Sequence, residues 1–194
     1  MRRGLRSGFP GRVAGHEHVL DAALGSCPRD VVLVLGHNAD KIHAALRLAD
    51  GGRARVVINP DHALGLSTSL RLGLRSTDPR AQAAAILLGD QPGVTAALIN
   101  RVAHAFVTAD ALMARPVFAS AGGERVPGHP VFLARRVWPE VESFHGDRGA
   151  RDLIAAHPDW LLEVSVEGEP PTDIDTWDDY QTTVDRLRAG TIRR

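Results

Sequence analysis

Lysine and cysteine are almost absent from this sequence. Of the 23 basic side chains, Lys41 is the only lysine, a bias that we attribute to a GC-rich genome. If the chemistry of the protein requires a lysine on a phosphate group, Lys41 alone can provide it. Cys27 is the only cysteine, and this excludes a framework of internal disulfide bonds.

The sequence also lacks an excess of charge and a long apolar run. Its 23 basic and 23 acidic side chains balance, which argues against a protein that binds nucleic acids or membrane surfaces through a general basic excess. No apolar stretch approaches the roughly 20 residues of a membrane span. The arginines near the start are not followed by the apolar segment of a secretory signal. We therefore expect a cytoplasmic protein with neither a nucleic acid nor a membrane among its partners.

What is present suits one α/β domain. The chain has 194 residues, 44% of them hydrophobic, which is enough to build a sizeable core. No linker or repeat divides it, so we expect a single domain over residues 1–194, with an irregular start over 1–15 and a frayed tail over 189–194. Short apolar runs alternate with helical patterns, and this alternation predicts a mainly parallel sheet with right-handed crossovers.

The periodicity predicts six strands and seven helices. The strands are expected at 31–35, 55–58, 83–88, 115–119, 131–133 and 161–166. The helices are expected at 18–26, at 39–49 after an Asn38 cap, from a Ser67 or Thr68 cap to 75, from a Thr95 cap to 107, and at 135–144, 149–156 and 176–187. Ligands of open α/β sheets sit beyond the carboxyl ends of the strands. The loops that leave the strands are therefore the places where binding residues are expected.

The most informative segment is the apolar run from Ala83 to Leu88, which ends abruptly at Gly89 and Asp90. The run is short and flanked by breakers, as is typical of a buried strand of a parallel sheet. Asp90 then lies at the carboxyl end of the strand, where a carboxylate can hold a metal ion against a phosphorylated substrate. The alternative is a simple turn, in which Asp90 accepts hydrogen bonds from local backbone N–H groups.

Four further motifs fall at predicted strand ends or helix starts. They are the stretch from Asn59 to Leu70, Gly128-His129-Pro130, the stretch from His145 to Ala150, and Asp173-Ile174-Asp175-Thr176. Each has a plain structural interpretation as a helix cap or a tight turn. The first also has a functional interpretation, because backbone N–H groups and hydroxyls at the positive end of a helix can contact a nucleotide.

In their order along the chain, these motifs resemble the MobA/MocA-like nucleotidyltransferases, especially the molybdenum cofactor cytidylyltransferases. The resemblance covers residues 17–187. It implies a Rossmann-like, three-layer α/β/α fold. It also implies Mg²⁺-dependent transfer of a nucleotidyl group from an NTP, with CTP favoured, to a pterin-type cofactor, with release of pyrophosphate. A molybdoenzyme is an implied partner.

The same resemblance assigns roles to individual residues. Asp90 would be the main catalytic Mg²⁺ ligand, and Asp175 would be the second acid at the metal. The residues placed beside the substrates are Gly65, Ser67, Ser69 and Gly89 for the nucleotide, and His129 and Asp147 for the acceptor. These roles suit the chemistry, because Mg²⁺ held by one or two carboxylates offsets the negative charge of the phosphates and orients the leaving pyrophosphate.

The chain departs from the resemblance at its start. The family opens with a strand and a glycine-rich loop, followed by a lysine, which hold the base and the triphosphate; residues 1–15 do not match this pattern. Arg2, Arg3 or Arg6 could place charge near a phosphate, but the alternative is a solvated chain end. We therefore expect weak NTP affinity and marginal stability for the chain as given. Two other functions stay open: an NTP transferase on another acceptor such as a sugar phosphate, and a truncated, non-catalytic nucleotide-binding protein.

Overall fold

The computed structural model describes residues 10–46, 52–119 and 123–171, with side chains of the first helix described from His16 onward. Several predictions concern residues outside these ranges. They concern Asp173 and Asp175, the arginines Arg2, Arg3 and Arg6, the helix expected at 176–187 and the tail over 189–194.

The described residues form seven strands and six α-helices. The strands are β1 (Val31–Leu35), β2 (Ala54–Ile58), β3 (Ala83–Ile86), β4 (Met113–Ala119), β5 (Arg125–Pro127), β6 (Val131–Ala134) and β7 (Leu161–Glu167). The helices are α1 (Pro10–Leu24), α2 (Ala39–Ala45), α3 (Leu66–Arg75), α4 (Ala96–Thr108), α5 (Trp138–Glu142) and α6 (Ala150–Ala156). Single turns of 3₁₀-helix lie at His62–Leu64, Arg135–Val137 and Pro158–Trp160. The α/β class is confirmed, and β5 is a strand that the sequence pattern did not indicate.

The strands are arranged in two sheets. One contains β1 and β2 in parallel, and the other has the order β3-β6-β4, with both β5 and β7 paired to β4. The sequence predicts that β3 pairs in a parallel sheet. This prediction is wrong for the pairing with β6, its one partner among the described strands, because β3 runs antiparallel to β6. An apolar run reports burial on both faces of a sheet and carries no information on the direction of the neighbouring strand.

The strand directions nevertheless bring several carboxyl ends to one edge. Because β6 is antiparallel to both β3 and β4, these two run the same way, and β7 is parallel to β4. The carboxyl ends of β3, β4 and β7 therefore lie at the same edge of the sheet. Within the ranges described, β1 pairs only with β2 and β3 pairs only with β6, so each has one edge without a described partner strand.

Helices cover both faces of the larger sheet. On one face, Ile99 and Val102 of α4 are fully buried against a group that includes Ala114 and Phe132. On the other face, α3, α5 and α6 pack against neighbouring strand positions that include Met113 and Leu133. Adjacent strand residues point to opposite faces, so this alternation produces a three-layer α/β/α core. Across the described helices, none is long and apolar enough to cross a membrane.

Several helix boundaries differ from their predictions. Helix α1 begins at Pro10, so the expectation of an irregular start over 1–15 is wrong for residues 10–15. Proline is favoured at the first helical position, where its missing N–H costs nothing. Thr95 caps α4 as predicted, since its hydroxyl accepts a hydrogen bond from the Leu98 N–H at 3.2 Å. Helix α6 begins at Ala150, one residue after the predicted Gly149, which is the cap position; the Asp152 carboxylate accepts from the Gly149 N–H at 2.7 Å.

Candidate active site

Asp90 lies in a turn just beyond the carboxyl end of β3. The turn is closed by a hydrogen bond from the Gln91 N–H to the Leu88 carbonyl at 3.3 Å, and the Val94 N–H donates to the Gln91 carbonyl at 3.1 Å. Gln91 and Val94 are buried, whereas Asp90 is half-buried. The structural and functional interpretations of this segment are therefore compatible, because a buried turn fixes Asp90 in place at the ligand-binding edge of the sheet.

Gly89 is enclosed by a histidine that the sequence analysis did not single out. A Cβ atom at Gly89 would lie 2.7 Å from Cδ2 and 3.0 Å from Nε2 of His16, so no side chain larger than hydrogen fits without movement. His16 is half-buried on α1. It was missed because residues 1–15 were expected to be irregular and the helix to begin at His18. Pro10 is the signal that favours an earlier helix start.

The loop after β2 is organised by a buried asparagine. The side chain of Asn59 is only 3% exposed, and its Nδ2 donates to Thr68 Oγ1 at 2.8 Å and to Ser69 Oγ at 2.9 Å. Its Oδ1 accepts from the Asp61 N–H at 3.0 Å. Asn59 therefore ties the end of β2 to the first turn of α3, because a buried amide must satisfy its donors and acceptor locally.

Helix α3 has its cap position at Gly65, not at the predicted Ser67 or Thr68. Gly65 has φ 109°, a left-handed conformation that favours glycine. A Cβ at Gly65 would lie 2.2 Å from the carbonyl carbon of Gly146. The first turn of α3 thus sits directly on the backbone of the loop before α6, and a glycine is required on geometric grounds at this contact.

This contact brings together the predicted nucleotide side and the predicted acceptor side. The Ser67 N–H donates to the Gly146 carbonyl at 3.0 Å, and the Leu66 N–H donates to Asp147 Oδ1 at 3.4 Å. Asp147 itself is exposed. A carbonyl and a carboxylate therefore occupy two of the N–H groups at the positive end of α3, the position that favours negative charge.

The serines of this loop differ in their surroundings. The side chain of Ser67 is fully buried, and within the described part of the chain its hydroxyl has no hydrogen-bond partner. Ser69 is half-buried, and its hydroxyl accepts from Asn59. The roles predicted for Ser67 and Ser69 beside a nucleotide stay predictions; in this conformation the Ser67 hydroxyl is not open to a ligand.

His129 lies at the same edge of the sheet as Asp90. It precedes β6, whose Val131 is paired with Ile86 at the carboxyl end of β3. The peptide bond between His129 and Pro130 is cis. His129 is half-buried, and Pro130 is buried. The sheet register therefore places His129 and Asp90 at one end of adjacent strands.

A complete metal site is not contained in the described residues. Over 16–46, 52–119 and 123–171, no group of three or more His, Cys, Asp or Glu side chains is placed to hold an ion. Asp90 could supply one carboxylate, and Asp175 lies outside the described residues. The donor set still suits Mg²⁺, which commonly takes only one or two carboxylates and completes its shell with water and substrate phosphates.

Comparison with known proteins shows which proteins this chain is similar to. Residues 14–160 match the family model for the MobA-like NTP transferase domain. The molybdenum cofactor cytidylyltransferase of Escherichia coli is 25% identical over 84% of this chain and 78% of its own length. The bifunctional protein GlmU of Sorangium cellulosum is 36% identical over 39% of this chain, and the match spans only 16% of that protein. The crystal structure of Rv0371c from Mycobacterium tuberculosis in complex with manganese has a TM-score of 0.69 and 32% identity, covering 89% of this chain and 85% of that one.

Proposed function

The chain belongs to the MobA-like NTP transferase domain family, and from this premise we propose that it transfers CMP from CTP to a molybdopterin-type cofactor, with release of pyrophosphate. The observation that carries the proposal is the position of Asp90 in a buried turn at the carboxyl end of β3. The choice of CTP and of a pterin acceptor is supported by the similarity to the E. coli cytidylyltransferase over most of both chains. We place the reaction in the cytoplasm, with a molybdoenzyme as a partner.

The proposed reaction is an in-line displacement at phosphorus. An oxygen of the acceptor attacks the α-phosphorus of CTP, the bond between that phosphorus and the bridging oxygen to the β-phosphate breaks, and pyrophosphate leaves. Bound Mg²⁺ would supply charge neutralisation on the phosphates and orientation of the leaving group. Asp90 would hold the ion, with Asp175 as the proposed second acid.

The protein groups that remain chiefly position the two substrates. Gly89 and the Gly65–Ser67 turn would lie beside the nucleotide, where close approach of the backbone requires small residues. His129 and Asp147 would face the acceptor. Because Asp147 accepts from the Leu66 N–H at the start of α3, the acceptor side and the nucleotide side are in direct contact in this proposal.

Substitution of Asp90 tests the function directly. We expect Asp90→Ala to weaken Mg²⁺-dependent CTP binding by at least about tenfold, because the variant loses the principal charged ligand of the ion. Isothermal titration with CTP, with and without Mg²⁺, measures this. Asp159→Ala is the matched control, since Asp159 is exposed in the 3₁₀ turn before the amino end of β7.

The outcomes separate the candidate functions. Unchanged Mg²⁺-dependent CTP affinity in Asp90→Ala, or an equal loss in Asp159→Ala, contradicts the role of Asp90. Metal-dependent CTP binding without pyrophosphate release in the presence of any acceptor favours the non-catalytic alternative. Pyrophosphate release with a sugar phosphate, but not with a pterin phosphate, favours the other acceptor class.

A further inference from the structure

Two histidines lie next to each other where β1 and β2 end. His37 is in the turn after β1, and His62 is in the 3₁₀ turn after β2. Their ring centroids are 6.1 Å apart, and the ring planes are tilted by 51°. Because β1 and β2 are parallel and paired along their whole length, their carboxyl ends lie side by side. The small sheet therefore brings together two imidazoles from separate loops.

The position of His62 is fixed by its surroundings. A Cβ atom at Gly36 would lie 2.5 Å from Cβ and 2.9 Å from Cγ of His62, so this side chain packs directly on the backbone at the end of β1. The Nδ1–H of His62 donates to the Asn59 carbonyl at 3.1 Å, since a carbonyl can only accept. In the neutral ring this bond leaves the lone pair on Nε2. Metal-binding histidines are commonly oriented by a hydrogen bond of this kind.

His37 is exposed, but its backbone is anchored. The Ala39 N–H donates to the Gly36 carbonyl at 3.1 Å and closes the turn that contains His37. Asn38 follows in the left-handed conformation, with φ 57°, which asparagine adopts more readily than most residues. Among the described residues, none forms a hydrogen bond or an ion pair with the His37 ring. Its side chain can therefore turn toward His62 without losing a polar contact.

The spacing of the two rings is close to that of histidines that share a metal ion. Imidazole nitrogens bind Zn²⁺ at about 2.0–2.1 Å, and a tetrahedral angle at the ion then places two ring centroids roughly 5 Å apart. Rotation of the exposed His37 side chain can supply the remaining approach from 6.1 Å. Within the described ranges, no third His, Cys, Asp or Glu side chain is placed with this pair. Water would therefore complete the coordination shell.

The donor set and the local charge select the class of ion. Two neutral imidazoles suit Zn²⁺, Ni²⁺ and Cu²⁺, whereas Mg²⁺ prefers carboxylate, carbonyl and water oxygens. Asp40 and Asp61, both exposed, lie within three residues of His37 and His62 in the sequence. Lys41 brings one positive charge to the same two loops. Two negative charges against one positive charge favour a bound cation.

We propose that His37 and His62 form a binding site for a divalent transition-metal ion, of which Zn²⁺ is the type ion. This site is separate from the Mg²⁺ site proposed at Asp90. The bound ion joins the turn after β1 to the loop after β2, and so holds the loop that leads into α3. The site does not depend on nucleotidyl transfer, so either proposal can fail without the other.

Titration of the full chain with Zn²⁺ tests the site. It is carried out at about pH 7.5, because histidine must be neutral to bind a metal, and with Mg²⁺ in excess to occupy carboxylate sites. We expect His37→Ala and His62→Ala each to weaken Zn²⁺ binding by about tenfold or more, because a single imidazole cannot chelate the ion. His104→Ala is the matched control, since His104 is an exposed histidine on α4, and it should bind Zn²⁺ like the wild type.

Two further measurements separate a lost ligand from a damaged fold. We expect Zn²⁺ to raise the Tm of the wild type and of His104→Ala, but not that of His37→Ala. Without metal, His37→Ala should melt like the wild type, because the side chain is exposed. With Cu²⁺ as the probe, electron paramagnetic resonance should report two bound nitrogens in the wild type and one in His37→Ala. Equal Zn²⁺ affinity in His37→Ala and the wild type, an equal loss in His104→Ala, or a single nitrogen on Cu²⁺ in the wild type would each overturn the proposal.

Discussion

At the scale of single residues, Gly65 is the position where the candidate site is least tolerant of change. It combines φ 109° with a Cβ position 2.2 Å from the Gly146 carbonyl carbon. We expect Gly65→Ala to cost more than the roughly 1–3 kcal/mol of backbone strain alone, because the loop before α6 must also move. Thermal unfolding of Gly168→Ala provides the control, since Gly168 has φ 103° with nothing within 4 Å of its Cβ position. Equal losses of stability in the two variants would show that the contact with Gly146 does not matter.

His16 and Gly89 form a second residue pair whose coupling can be measured. We expect Gly89→Ala to destabilise the protein by roughly 1–3 kcal/mol, the usual penalty for overpacking, because the added methyl group meets the His16 ring at 2.7 Å. Removing that ring in the double variant His16→Ala, Gly89→Ala should recover most of the loss. Denaturant unfolding of the wild type, both single variants and the double variant completes the cycle. Additive effects would rule out the contact.

At the scale of elements, the sequence is a good guide where a single local pattern decides the structure. The strands β1 and β2 and the Thr95 cap were predicted within a residue, because an apolar run or a capping hydroxyl is sufficient in each case. The start of α3 was misjudged because its first N–H groups are satisfied by Gly146 and Asp147, which are about 80 residues away in the chain. No local pattern reports a partner at that distance.

The same distinction applies to the candidate site. The order of the motifs was enough to select Asp90, Gly65 and Asp147 from the sequence, and the structure brings the last two together. A cleft across β5, β4 and β7 is lined by Arg101, Arg125 and Glu167, which come from a helix and two strands and share no motif. The register of β4 with its two neighbours brings Arg125 and Glu167 together, and Arg101 joins them from α4. Sites of this kind require the tertiary structure.

At the scale of the whole molecule, the division of the strands into two sheets determines where the protein is least stable. Strand β4 pairs with β5, β6 and β7, whereas β1 pairs with β2 alone among the described strands. The apolar residues from Val31 to Val34 are only half-buried. Among the described strands, opening the β1–β2 sheet therefore breaks a single ladder, and it exposes less apolar surface than opening β4, most of whose residues are buried. We expect it to open locally at a free energy well below that of global unfolding.

Arg53 is one connection that holds this smaller sheet to the rest of the protein. Its guanidinium donates to the carbonyls of Leu24, Pro28 and Arg29 at 2.8, 3.0 and 3.2 Å, and so joins the residue before β2 to the carboxyl end of α1 and the turn that follows. Basic side chains commonly satisfy carbonyls at this end of a helix.

In native-state hydrogen exchange, we expect amides of residues 31–35 to exchange faster than those of 113–119. We also expect Arg53→Gln to accelerate exchange in 31–35 and 54–58 without changing 113–119. Arg151→Gln, which replaces an exposed arginine on α6, should change neither region. Equal protection of β1 and β4 in the wild type would mean that the two sheets open as one unit, and that their division has no consequence for stability.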